Sequence, residues 1–303
     1  MKQVGAVDIG GTKIAVGIVR DDGTLRHFLE CPTHPERGLP DAIDRIERML
    51  RQLVEQCGSI VGIGIGCPGP LDPFSGVIGD VGTLPGWENG HLGEEIAARF
   101  GLSVAVENDA DAAALAEYAW GSQRPSGTLI YVTVSTGIGG GIVQAGQLYR
   151  GVRGSHPELG HQAIDPSGPL CYCGISGCWE SLASGTAMSA WFQQCAPKCG
   201  PLNAMQICEL ARQGDVHAAQ VVRRTSHYLG LGLANLVTLF APQNISLGGG
   251  LMRSSDLFLA DVHAQVLRSC TQVPAEHTII KVSPLGTEAG LLGAAQSWLL
   301  RYS

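Results

Sequence analysis

One local pattern occurs twice along this chain. Val4 to Ile9 reads as an apolar strand, Gly10-Gly11-Thr12 as a turn of small residues, and Ile14 to Val19 as a second strand. Leu129 to Val134, the run Ser135 to Gly141, and Ile142 to Gln144 repeat that layout. Two copies of a strand–turn–strand unit point to a duplicated, two-lobed architecture. Around them, helix and strand signals alternate. Asp21-Asp22-Gly23 marks a hairpin into a third strand near Leu25 to Leu29. Ile43, Ile46, Leu50, Leu53 and Val54 recur at helical spacing towards an end near Gly58. A buried strand is expected at Ile60 to Ile65, a short helix at Glu94 to Phe100, a strand at Ser103 to Val106 and a helix at Ala110 to Trp120. Further on, helices are expected over Ala183 to Cys195, Ala204 to Arg212, Val216 to Phe240 and Glu288 to Leu300, with strands at Asn244 to Leu247 and Ile279 to Val282. Such alternation belongs to an α/β protein.

Length and charge narrow the function. The 303 residues are 45% hydrophobic and 16% charged, enough for a packed core in one large domain or two lobes. A net charge of −7 argues against non-specific nucleic-acid binding. Asp8 interrupts the apolar start, so no secretory signal is read, and a reduced, cytoplasmic setting is expected for the ten cysteines. Thr225 to Met252 carries no Asp, Glu, Lys or Arg, but His227, Asn235, Pro242, Gln243 and Asn244 interrupt it. A buried helix followed by a buried strand is expected there, not a membrane span.

The 42 glycines cluster after apolar strands. In Asp8-Ile9-Gly10-Gly11-Thr12-Lys13, glycines let backbone N–H groups approach phosphate oxygens, Thr12 adds a donor, and Asp8 can hold Mg²⁺ directly or through water. A glycine-stabilised hairpin is the plain alternative. Ser135 to Gly141 offers a second cradle and Gly248-Gly249-Gly250 a third, and three such loops favour a nucleotide site. Glu107-Asn108-Asp109-Ala110-Asp111 falls where a strand meets a helix. Asp109 or Asp111 can cap that helix, or act as a general base with Asn108 bonding a polar substrate; spacing does not choose. His161, Cys171, Cys173 and Cys178 supply three thiolates and an imidazole, which closes a tetrahedral, structural Zn²⁺ shell. Buried thiols or a disulfide are the rival readings, and Gly174 and Gly177 favour the metal knuckle. Beside it, Glu158 and Glu180 can accept hydrogen bonds from sugar hydroxyls or stand solvated.

Taken in order, GCPGPLD at 66–72, LPGW at 84–87, ENDADAAALAE at 107–117, TVSTGIGGGIV at 133–143, PELGH at 157–161, CYCGISGCWE at 171–180 and EAGLLGAA at 288–295 resemble the ROK family of bacterial sugar kinases. The resemblance spans essentially the whole chain. It implies an actin-like/hexokinase (ribonuclease H-like) two-lobed fold with an active-site cleft between the lobes. It places residues 1–118 plus 288–303 in a small lobe and 119–287 in a large one. It makes Asp109 the catalytic base and puts Gly69, Asn108, Asp109, Glu158, His161 and Glu180 on the sugar. Asp8, Gly10, Gly11, Thr12, Lys13, Thr136, Gly137, Gly139, Gly140 and Gly249 would hold ATP, with Mg²⁺ on its phosphates. His161, Cys171, Cys173 and Cys178 match the family's zinc ligands. Homo-oligomers, dimer or tetramer, are common among such proteins, and no membrane or nucleic-acid partner is implied.

The ENDADAAALAE and TVSTGIGGG runs stand nearest the glucokinase branch, which favours glucose phosphorylated at its 6-hydroxyl. N-acetylmannosamine and N-acetylglucosamine follow, and His156-Pro157 before Glu158 leaves fructose open. Thr83-Leu84 departs from the family's usual Asn-Leu, so one of the sugar contacts that the resemblance implies is left open. The family also holds sugar-responsive repressors; only seven residues precede Asp8, too few for a helix-turn-helix module, and the intact Asp109 favours catalysis. A sugar sensor without turnover is the remaining non-enzyme reading.

Overall fold

The computed structural model describes residues 1–121 and 127–303. Contacts divide the chain into two units, Met1–Arg124 with Gly141–Pro157 and Pro284–Ser303, and Pro125–Gly140 with Glu158–Ser283. The sequence reading draws 119–287 as a single block; the contacts give Gly141–Pro157 to the first unit, where Arg150 and His156 pair with Asp111.

In the first unit, β1 (Gln3–Ile9), β2 (Lys13–Arg20), β3 (Leu25–Pro32), β4 (Ile63–Cys67) and β5 (Val104–Asn108) form a sheet of order β3-β2-β1-β4-β5. β2 lies antiparallel to β1 and β3, whereas β4 and β5 run parallel to β1. Period-two alternation splits β1 between two cores. Val7 and Ile9 pack in one cluster with Ile43, Ile46, Leu50 and Leu53 of α1 (Gly38–Cys57) and Ile96 of α2 (Leu92–Phe100). Val4 and Ala6 face the other way, with Ala116 of α3 (Asp109–Trp120) and Leu291, Leu292, Ala294, Ala295 and Trp298 of the last helix, α9 (Ala289–Tyr302).

β4 starts three residues later than the apolar run predicts and continues to Cys67, because its pairing with β5 runs on to Cys67↔Asn108. Its Gly-Ile alternation is decisive for the site. Ile63, Ile65 and Cys67 fill the α1 side. Gly62 and Gly64 leave the other side bare, so that a Cβ at Gly62 would strike the Trp298 ring at 2.1 Å and one at Gly64 would strike the Ala294 carbonyl oxygen at 1.7 Å. Stripped of side chains, that face lets α9 lie directly on the sheet.

The second sheet contains β6 (Thr128–Val134), β7 (Ile138–Gln144), β8 (Gln147–Leu148), β9 (Asn244–Gly248) and β10 (Ile279–Val282), in the order β10-β9-β6-β7-β8. Read from the other edge, that is the strand order of the first sheet, so the expected duplication is present as topology. The unit boundary falls inside β7. The glycine run is not one long turn as expected: the turn is Ser135–Gly137, closed by Ser135 N–H donating to the Gly137 carbonyl at 2.9 Å, and Gly139, Gly140 and Gly141 belong to β7. Close packing is the reason, since a Cβ at Gly140 would meet the Tyr131 carbonyl oxygen at 2.4 Å.

Helices of the second unit are α4 (Trp179–Ala183), α5 (Gly185–Cys195), α6 (Ala204–Arg212), α7 (Val216–Phe240) and α8 (Leu259–Ser269). The single helix expected from Ala183 is broken at Ser184, whose hydroxyl accepts from Ala187 N–H and caps α5. The uncharged stretch becomes α7 followed by β9, and among the described residues no helix is long and apolar enough to cross a membrane.

Candidate active site

Parallel pairing in the first unit aligns the carboxyl ends of β1, β4 and β5, where open α/β sheets bind ligands. Asp8 is opposite Gly66, Gly66 opposite Glu107, and Cys67 opposite Asn108, with Asp109 next in the chain. Gly66 separates the two carboxylates: a Cβ there would lie 3.6 Å from Asp109 Cα and 3.7 Å from Asp8 Oδ1. Burial, reinforced by the Asp109 charge, pushes Asp8 up to about 7. Burial also raises the neighbouring Cys67 thiol, with Asp109 and Asp8 adding to the effect. Asn108 turns out to be the helix cap, a role the sequence leaves to Asp109 or Asp111: its Oδ1 accepts from Ala110 N–H at 2.9 Å and Asp111 N–H at 3.1 Å. Its Nδ2 faces Gly69, where a Cβ would come within 3.1 Å. The first glycine turn is close by in sequence and packing. Gly10 N–H donates to the Lys13 carbonyl at 2.8 Å, a Cβ on Gly11 would meet Thr83 Cβ at 2.9 Å, and Thr12 is exposed. Lys13 Nζ pairs with Glu30 at 2.5 Å.

Behind Asp109 lies an ionic cluster that sequence reading missed. Arg150 Nη2 is 2.5 Å from Glu107 Oε1, Arg150 Nη1 bonds Asp111 Oδ2, and His156 Nδ1 is 2.9 Å from the same oxygen. Burial pushes Glu107 up while Arg150 pulls it back. An isolated Arg far along the chain carries no local signal, so only the fold reveals it.

In the second unit, two of the three glycine loops line one cavity of about 320 Å³. Ser135 and Thr136 come from the second loop and Gly250 and Leu251 from the third, with Thr186, Ser189, Asn203 and Met205 completing the wall. Gly185 N–H donates to the Ser135 carbonyl at 2.7 Å, and Thr186 Oγ1 donates to the Thr136 carbonyl at 2.9 Å, so α5 fixes the turn. Gly249, at φ 88°, turns the chain out of β9 into the wall; a Cβ would meet the Val134 carbonyl oxygen at 2.4 Å. Gly139 and Gly140 lie past the turn, in β7. The α5 and α6 residues of the wall escaped the sequence reading because no glycine marks them.

Glu180 is held by the same turn: its Oε2 accepts from Ile138 N–H at 2.8 Å, and a Cβ on Gly137 would sit 2.3 Å from that oxygen. Next to it is the knuckle. The ligand atoms of His161, Cys171, Cys173 and Cys178 all lie within 4.8 Å of one another. Cys171 Sγ is 3.6 Å from His161 Nδ1, and Cys173 Sγ is 3.4 Å from Cys178 Sγ. Such spacings suit a tetrahedral site with metal–sulfur bonds of about 2.3 Å. All ten cysteines are free thiols. His161 Nε2 meets the Tyr172 hydroxyl at 3.0 Å, leaving Nδ1 for the cysteines. Tyr172, also missed, has an exposed ring, and its phenol is pushed up to about 12 by desolvation at the hydroxyl and by the charges of Glu180, Cys171 and Glu158.

Two sheets of one strand order, carboxylates at the strand ends of the first and a glycine-walled cavity beside the second define the actin-like class of α/β proteins. The chain belongs to the ROK family, whose model matches residues 4–301. The glucokinase of Streptomyces coelicolor is 36% identical over 309 residues, covering 95% of each chain. Among solved structures, the ROK hexokinase of Thermus thermophilus is 36% identical, with a TM-score of 0.88 over 99% of this chain and 98% of that one. The ROK-family glucokinase of Streptomyces griseus, solved with glucose and AMPPNP, is 33% identical, with a TM-score of 0.84 over 97% and 98% of the two chains.

Proposed function

We propose that this sugar kinase transfers the γ-phosphoryl group of ATP to the 6-hydroxyl of a hexose, with glucose the preferred acceptor. The observation that carries the reading is Asp109 at the aligned ends of β4 and β5, next to Asn108, whose Nδ2 faces Gly69. Asp109 takes the proton of the 6-hydroxyl as O6 attacks the γ-phosphorus in line; the β–γ bridging bond breaks and ADP leaves. Asn108 spends its oxygen on the cap, so its Nδ2 is the atom that donates to a sugar oxygen. Glu158, His161 and Glu180 read further hydroxyls.

The adenosine part of ATP suits the cavity walled by Thr136, Thr186, Asn203 and Gly250, whose volume falls in the usual range for small-molecule sites. Gly10, Gly11 and Thr12 offer backbone and hydroxyl donors to phosphate, and Asp8 would hold Mg²⁺, whose charge would offset that on the transferring group. The knuckle residues suit a structural Zn²⁺: three sulfurs and one imidazole fill four positions, and the ion would hold His161 and, through Tyr172, the neighbouring acids in place. Support for glucose comes from the glucokinases of Streptomyces coelicolor and Streptomyces griseus.

The test is ADP release in a coupled assay with glucose, mannose, fructose, N-acetylmannosamine and N-acetylglucosamine. The highest kcat/KM is expected for glucose. Fructose in first place would shift the reading to His156-Pro157 as the specificity element, and silence with all five would leave a sugar sensor.

A further inference from the structure

Resting on the reading of Asp109 as the base, we propose that Arg150 is the positioning residue for that base. Its guanidinium bonds Glu107 and Asp111, the two acids that bracket Asn108-Asp109, and so fixes the point where β5 hands over to α3. The pull reaches the backbone directly, because Glu107 Oε1 also accepts from Asn108 N–H at 2.8 Å. On the far side Asp111 is fully buried, and its Oδ1 has no hydrogen-bond partner among the described residues. Its charge is therefore balanced at Oδ2 by Arg150, and His156 Nδ1 lies 2.9 Å from the same oxygen. A buried acid stripped of its cation is strongly unfavourable and moves or takes a proton. A movement of Asp111 displaces the first turn of α3, which begins with Asp109 itself.

A general stabilising role does not explain the geometry. Both prongs of the fork end on one five-residue segment, on either side of the reacting carboxylate, and the planar guanidinium is the side chain that spans two acceptors at once. An ammonium at the same place reaches one acid and leaves the other unpaired. Arg150 arrives from the Gly141–Pro157 segment, which these bonds tie into the first unit.

The experiment compares the parent with Arg150→Met, Arg150→Lys, Arg150→Ala and Asp109→Asn, using glucose and ATP and scaling rates to the folded fraction measured by circular dichroism. A base displaced by about 1 Å loses on the order of 100-fold in rate. Arg150→Met is thus expected to lose about 100-fold in kcat with both KM values within about threefold, and Arg150→Lys to fall in the middle. Guanidinium ion at millimolar concentration is expected to restore part of the Arg150→Ala rate and none of the Asp109→Asn rate. Full kcat in folded Arg150→Met would reduce the cluster to a stability device and overturn the proposal. If Arg150→Met does not fold, Arg150→Lys decides: parental kcat overturns the proposal, and a fall at constant KM supports it. Should Asp109→Asn turn over like the parent, the base assignment itself fails, an outcome separate from any result at Arg150.

Discussion

Two carboxylates stand at the carboxyl ends of β1 and β5, with β4 between those strands. Asp109 opens α3, while Asp8, half-buried with Gly66 between it and Asp109, is pushed up to about 7 by desolvation and by the Asp109 charge. Replacing Asp109 by Asn keeps the shape and removes the proton acceptor. We expect phosphorylation to fall by at least about 100-fold while sugar binding, read by calorimetry, stays within about threefold of the parent. For Asp8 the sign follows from linkage. Between its unfolded value near 3.8 and about 7, the folded, metal-free protein keeps a proton that the unfolded chain has released. Stability therefore drops as pH rises through that window and levels off above it. Asp8→Asn should raise the Tm of metal-free protein more at about pH 8 than at about pH 5, and an equal gain at both would mean the carboxyl is not perturbed. Asp109 and Asp111 could not be ranked from sequence, since three residues able to cap α3 stand within Asn108–Asp111 and only the side-chain hydrogen bonds show that Asn108 does so.

Among the elements, β4 and the knuckle have the sharpest consequences. Gly64→Ala drives a methyl into the Ala294 carbonyl, with the ideal Cβ only 1.7 Å from that oxygen. A loss of about 3 kcal/mol, on the order of 10 °C in Tm, is expected. Gly82→Ala, where nothing lies within 4 Å, should be neutral, and calorimetry on both variants checks the contrast. Reduced protein should carry one zinc, by elemental analysis. Chelation should then lower Tm and raise the sugar KM about tenfold, with a much smaller change for ATP, because the knuckle residues stand by Glu158 and Glu180. Protein without zinc and with an unchanged sugar KM would reject the site. The Cys/His cluster was legible because its chemistry is written in four nearby residues. The bare face of β4 was not, because glycine alternating with isoleucine reads as an ordinary apolar strand until α9 is seen lying on it. The glycines of β7 misled in the opposite direction: a run after Ser-Thr reads as a loop, whereas Gly140 is needed where Tyr131 closes in.

At the scale of the molecule, the repeated strand–turn–strand unit was visible because each copy is local, and the order of the two sheets confirms it. The crossings were not visible. Nothing in the sequence says that Gly141–Pro157 joins the first unit, since that follows from Arg150 and His156 meeting Asp111 across long sequence separations. The placement of α9 has a consequence for how such a protein is made. Val4, Ala6 and Gly64 leave the ribosome early, but the helix that covers them follows every strand of both sheets. A growing polypeptide therefore carries the Asp8 face of its first sheet without its helical cover until α9 has been made.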